Sequence, residues 1–204
     1  MKKFVALFSI VLIGFLLFGC TQVPPTGTQQ TAASEQAPNA AQSLVSQTQF
    51  DAVINAITAK LGAPDSQPKL SADMVKVFSD AATASKFTSG KSIIYHANAG
   101  TTTLGEEINL YLFVDSDSAS KMAEGSYQKI YKAVFAQIGC TETASSESGA
   151  SIRKGVCDSQ TRQIVLGSYK NICFTIDSNY ASSSTAESDA QISEIISAIA
   201  GAAS

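Results

Sequence analysis

Two aspartates, Asp115 and Asp117, stand directly after the apolar run Leu110 to Val114 and alternate with Ser116 and Ser118. Carboxylates two residues apart at the end of a strand can divide chemistry between them, one attacking as a nucleophile and the other moving a proton. Two residues separate Ser118 from Lys121, and Gly90-Lys91-Ser92 brings an ammonium and a hydroxyl beside a glycine. His96 is the one histidine of the chain, so any triad or histidine-based metal site has to use it. Four cysteines, Cys20, Cys140, Cys157 and Cys173, complete the reactive set.

Each pattern has a functional and a structural reading. The strand followed by D-x-D resembles the first motif of haloacid-dehalogenase-type phosphotransferases, and that resemblance implies Asp115 as nucleophile and Asp117 as acid and base. Ala119 stands where that family keeps Thr or Val, and no later acidic pair supplies the remaining magnesium ligands. The same residues also suit a helix start, where Asp115, Ser116 and Asp117 cap the first turn and set negative charge at the positive end of the dipole. Ser118 to Lys121 resembles the S-x-x-K of penicillin-recognising enzymes, but their S-D-N and K-T-G companions are missing. Gly90-Lys91-Ser92 resembles the end of a P-loop; Ser85 replaces its first glycine, and a strand follows where that motif requires a helix. No G-x-S-x-G elbow accompanies His96, which alternates along a strand. Tyr95, Tyr111, Tyr127, Tyr131, Tyr169 and Tyr180 suit either a ligand surface or the edge of a core. The expectation is a chain with no catalytic residue, no cofactor and no metal site.

The clearest motif is at the start. Lys2 and Lys3 precede a stretch that makes 14 of the first 19 residues apolar, the layout of a secretory signal. The run from Phe4 to Phe18 is 15 residues long, against roughly 20 for a helix that spans a bilayer. Leu17-Phe18-Gly19-Cys20 resembles the lipobox of prokaryotic lipoproteins. Phe18 departs from the small or aliphatic residue usual in bacteria but is similar to archaeal signals of this kind. The resemblance implies cleavage before Cys20, a diacylglyceryl group on its thiol, and residence at the extracytoplasmic face of a cell membrane, periplasmic or cell-surface. Two acyl chains bind a bilayer stably, at about 0.8 kcal/mol per buried methylene.

What must position the remaining residues begins after a tether. Residues 20–47 follow the signal 1–19, and the stretch 21–49 holds one charge, Glu35, with three prolines and seven glutamines. So few large apolar groups cannot offset the entropy of ordering. Helical spacing then starts: Phe50, Val53, Ile54, Ile57 and Leu61 predict a helix over 48–61, closed by Gly62. A short helix over 70–78 with Ser71 as its cap is expected next. Strands are expected at 92–97 and 107–114, the second apolar enough for both of its faces to be covered. A long helix follows with Met122, Tyr127, Ile130, Tyr131, Val134, Phe135 and Ile138 in one stripe, ending at Gly139. Strands at 140–143, 151–157, 163–169 and 172–177 come next, the last two joined by a tight Lys170-Asn171 turn. Ser184 and Glu187 form a capping box for a final helix that stops before Gly201.

This order predicts a single α+β domain over 48–202, a two-layer arrangement with an antiparallel sheet packed against amphipathic helices. If 140–143 and 151–157 form a hairpin turning near residues 147–149, Cys140 and Cys157 face each other. In an oxidising compartment they then form a disulfide, leaving Cys173 as a buried thiol. A zinc site of the three cysteines with His96 lacks the tight knuckle such sites use.

Only 15% of the residues are charged and no basic run exists, which excludes a nucleic-acid partner. Removing Lys2 and Lys3 leaves 12 basic against 17 acidic side chains, a formal charge of −5. The expected function is that of a membrane-anchored, extracytoplasmic, non-enzymatic binding or interaction module, held to the membrane by the lipid on Cys20 and directed at an envelope protein or small ligand. A surface hydrolase or phosphotransferase using Asp115 and Asp117, or a structural envelope component, are the alternatives.

Overall fold

The computed structural model describes residues 43–96, 103–157, 162–180 and 185–204. The signal, Cys20, the tether as far as residue 42, and Ser184 of the expected capping box lie outside them. Among the described residues no helix is long and apolar enough to cross a membrane.

The first helix, α1 (Gln47–Leu61), is opened by a capping box in which Ser46 and Gln49 satisfy each other's backbone N–H. It buries Phe50, Val53 and Ile57 and leaves its polar side outward. An extended stretch over 65–70 leads to two short helices, α2 (Ala72–Phe78) and α3 (Ala81–Ala84). Ser71 precedes α2 without making a side-chain cap. The α3 turn, absent from the sequence reading, is capped by Asp80, whose Oδ1 accepts the Thr83 N–H at 2.6 Å.

Six strands form one sheet: β1 (Phe87–His96), β2 (Thr103–Phe113), β3 (Thr141–Glu147), β4 (Ala150–Cys157), β5 (Arg162–Tyr169) and β6 (Ile172–Tyr180). Their spatial order is β1-β2-β6-β5-β4-β3, antiparallel throughout. Between β2 and β3 run α4 (Ser116–Ser126), a π-helical turn at Tyr127–Tyr131 and α5 (Lys132–Gln137); α6 (Thr185–Ala202) closes the chain. The single long helix expected after residue 115 is thus interrupted by the π turn, and α6 continues through Gly201. The first strand starts at Phe87, five residues before its expected position.

The α+β class with an antiparallel sheet packed by amphipathic helices is as expected. The sheet carries a helical layer on each face, one more than the two-layer expectation. Ile108, Leu110 and Leu112 of β2 join Ile172, Phe174 and Ile176 of β6 in a core roofed by α1 and α6. The intervening Tyr111, Phe113 and Cys173 face the opposite way, against α2, α3 and α4. A third cluster, Phe135 with Tyr127, Cys157, Ile164 and Leu166, fills the space beneath the π turn and α5. The packed part begins by Val45, which is 4% exposed and belongs to the first core.

Both sheet edges are protected against further pairing. On β1 the extended stretch supplies partners: the Ser92 N–H donates to the Pro68 carbonyl at 2.9 Å, and Leu70 N–H donates to Gly90 at 3.0 Å. On the other side the edge strand β3 is short and polar, TETASSE, and exposed along nearly its whole length.

Candidate functional site

Asp115 is the N-cap of α4. Its Oδ1 accepts the Ser118 N–H at 2.7 Å and its Oδ2 pairs with Lys86 Nζ at 2.9 Å. These hydrogen bonds hold its carboxyl at about 2, below the ordinary 3.8. Asp117 turns away to an exposed ion pair with Lys121 at 2.7 Å, which occupies the lysine of the S-x-x-K pattern as well. The two carboxylates therefore serve the helix start and do not converge on a common point.

Cys140 and Cys157 are bonded, as the hairpin register requires. Their thiolates are unavailable to a metal, and among the described residues no group of three His, Cys, Asp or Glu side chains is placed to hold one. Cys173 is free and fully buried, and burial pushes its thiol pKa upward. Along β1 the backbone of His96 pairs with Gly105; the His96 side chain and that of Tyr180 lie outside the described part. The other tyrosines do not make one surface, because Tyr95 and Tyr169 belong to the α1 and α6 side while Tyr111, Tyr127 and Tyr131 belong to the other.

A polar row crosses the sheet beneath α6. Glu106 is 3% exposed; it accepts from Ser178 Oγ at 2.8 Å and from Gln191 Nε2 at 2.7 Å. Burial raises its pKa, and the two hydrogen bonds oppose that rise. Tyr95, beside it on β1, is pushed up to about 12 by burial and by the Glu106 charge. Gln163, opposite Ser178 on β5, is fully buried and neither atom of its side-chain amide has a partner.

A concavity of about 690 Å³ lies elsewhere, between α1 and the β1 edge. The helix is tied to the strand near both of its ends. Ser89 Oγ donates to Gln47 Oε1 at 2.8 Å, and Tyr95 OH donates to the Gly62 carbonyl at 3.1 Å. Between these ties a trough opens, with Asp51, Ile54 and Asn55 on the helix wall and Gln67, Lys69, Leu70, Phe87 and Lys91 on the other. Gly90 is needed here because a Cβ would stand 2.9 Å from that of Leu70, too close for the extended stretch to pair with β1. That is its role in the Gly90-Lys91-Ser92 triplet, which lies inside a strand.

Lys69 and Lys91 face each other as partners of an antiparallel bridge. Among the described residues neither forms an ion pair; the one carboxylate of the helix wall, Asp51, accepts from Gln47 Nε2 at 2.9 Å. Sequence reasoning missed this trough because one wall comes from 65–70, a stretch without periodicity. No residue pattern in the sequence marks it: Lys69, with Asp65 and Asp73 four residues to either side, and Lys91 stand far apart in the chain.

No protein-family profile matches the chain, and no curated protein sequence matches it. Among solved structures, the extracellular domain of PknH from Mycobacterium tuberculosis is similar at a TM-score of 0.41 and 9% identity, over 76% of this chain and 97% of that one. A likeness this distant carries no functional argument.

Proposed function

We propose that the chain is a membrane-anchored extracytoplasmic lipoprotein whose folded part is a non-enzymatic binding module. The observation that carries this reading is the Cys140–Cys157 bond. A stable disulfide belongs to an oxidising compartment, where the signal ending in Leu17-Phe18-Gly19-Cys20 would deliver the chain. With that pair bonded and Cys173 sealed in the core, Cys20 is left for the lipid. Asp115 and Asp117 are engaged in capping and ion pairing, and the trough beside α1 offers a face for a ligand.

Mass spectrometry of the N-terminal peptide from membrane-extracted protein tests the anchor. The expected product begins at Cys20 and carries a diacylglyceryl mass, and Cys20→Ser releases the chain from the membrane fraction. An unmodified Cys20 thiol in that peptide overturns the reading.

A further inference from the structure

Arg153 of β4 is held in place without its donors being used up. Its guanidinium carbon lies 3.8 Å from the ring centroid of Tyr127, the first residue of the π turn, and the Tyr127 hydroxyl is itself fixed by donating to Glu142 Oε2 at 2.8 Å. Stacking on the ring orients the planar fork. Glu124 Oε2 stands 3.7 Å from Arg153, beyond hydrogen-bond length, so the donors of one and the acceptors of the other stay open to a third group. Both side chains line a cleft of about 300 Å³ between α4 and the sheet. Strand register places Ser151 opposite Ser168 and Arg153 opposite both Leu166 and Ala144, on the face where Leu166 packs with Tyr127. One turn before Glu124, Ser120 Oγ lies 3.4 Å from Ser168 Oγ.

We propose that this cleft binds a neutral sugar ring, its hydroxyls shared between Arg153, Glu124 and the serines 120, 151 and 168, and its C–H face against Ala123 and Ala144. A hydroxyl both donates and accepts, so neighbouring hydroxyls of a sugar can accept from the guanidinium and donate to the carboxylate while the two charges keep each other. An anion would meet Glu124 beside the guanidinium, and a cation would meet Arg153 beside the carboxylate. An apolar ligand would strand the polar side chains. The volume is at the small end of sites for organic molecules, roughly 300–1,000 Å³. The assignment deepens the binding-module reading and rests on it.

Saturation-transfer NMR of the full chain in octaethylene glycol dodecyl ether, a detergent without sugar, tests the site with the methyl glycosides of glucose, galactose, mannose and N-acetylglucosamine. At least one should bind, with a dissociation constant on the order of millimolar for so small a ligand. Arg153→Ala removes the fork and Ser151→Trp fills the cleft from an exposed position; each should weaken that binding at least roughly tenfold. Glu124→Gln should keep the signal, because an amide oxygen still accepts from a hydroxyl. Methyl glucuronide, which adds a negative charge, should bind no more tightly than methyl glucoside. Silence from all the neutral glycosides, undiminished binding to Arg153→Ala or Ser151→Trp, loss of binding in Glu124→Gln, or a preference for the glucuronide each overturns the assignment. Peptide mapping without reductant, with a cooperative thermal melt, confirms that every variant retains the Cys140–Cys157 bond and the fold, so unfolding is not read as loss of binding. A lipidated chain that binds none of the glycosides fails this inference alone; a chain that binds a glycoside through Arg153 but carries a free Cys20 thiol fails the anchor alone.

Discussion

Asn171 holds Val45 by both ends of its side-chain amide: Oδ1 accepts the Val45 N–H at 2.7 Å, and Nδ2 donates to the Val45 carbonyl at 3.1 Å. The same Nδ2 also donates to the Phe113 carbonyl at 2.6 Å. One buried side chain thus joins the residues leading into α1 to the end of β2 and the start of β6. Asn171 sits in the tight turn that follows Lys170, whose φ of 51° is left-handed.

Replacing Asn171 by Ala strands two carbonyls and an N–H, and urea unfolding should show a loss of about 3 kcal/mol. Asn171→Asp keeps the acceptor for Val45 but, when ionised, sets negative charge against both carbonyls. Its folded pKa would rise above the unfolded value, so its contribution is present at low pH and lost as pH increases. The deficit relative to wild type should therefore be smaller at about pH 4 than at about pH 7.

Glu106 follows the same sign. Its folded pKa is raised above 4.5 by burial, so the stability it contributes is present below 4.5 and lost as pH climbs through the raised value. Glu106→Gln can accept from Gln191 and donate to Ser178 Oγ without a charge. The variant should melt at a higher temperature than wild type near neutrality, and its melting temperature should vary less with pH above 4.5. A lower neutral melting temperature would contradict this.

Two glycine-to-alanine changes should have opposite signs. A Cβ on Gly125 would stand 2.2 Å from the Phe78 carbonyl oxygen, at the contact between α4 and α2. That overlap with backbone outweighs the roughly 1 kcal/mol helix preference of Ala, and Gly125→Ala should cost about 2 kcal/mol. Gly201 lies in α6 with nothing within 4 Å of the new Cβ. Gly201→Ala should gain up to about 1 kcal/mol in the same denaturation experiment.

Cys140→Ser/Cys157→Ser opens a link across 17 residues and should cost roughly 3 kcal/mol by the loop-entropy account. Hydrogen exchange should localise the change: β3 amides lose protection first, because that strand pairs on one side only, and β6 amides last.

The parts legible in the sequence were those fixed by local periodicity or by a turn. The stripe Phe50, Val53, Ile57 specifies α1, and the positive φ of Ser148 and Gly149 centres the hairpin where the Cys140 to Cys157 register demands. The near-continuous apolar run of β2 already implied cover on both faces, yet counting helices did not show that they divide between two layers. The early part of β1, Phe-Thr-Ser-Gly-Lys, looks like a turn and becomes a strand only because β2 and the stretch 65–70 pair with it. The π turn keeps Tyr127 and Phe135 in one cluster, so the stripe was visible and its interruption was not. Four residues, Ala-Ala-Thr-Ala, are too few to show the period of α3. The trough has one irregular wall and left no pattern of its own.

The Val45 clasp also decides how the domain bears a load applied from its N-terminal side. Next to it, Lys170 Nζ donates to the Ala203 carbonyl at 2.8 Å and Gln49 Nε2 to that of Ser204 at 3.1 Å, so the leading and trailing ends are moored at one corner. Traction on the residues before Val45 reaches Asn171 before it reaches α1. From there it spreads into β2 and β6, interior strands bonded on both sides, so the sheet takes such a pull before the helices do.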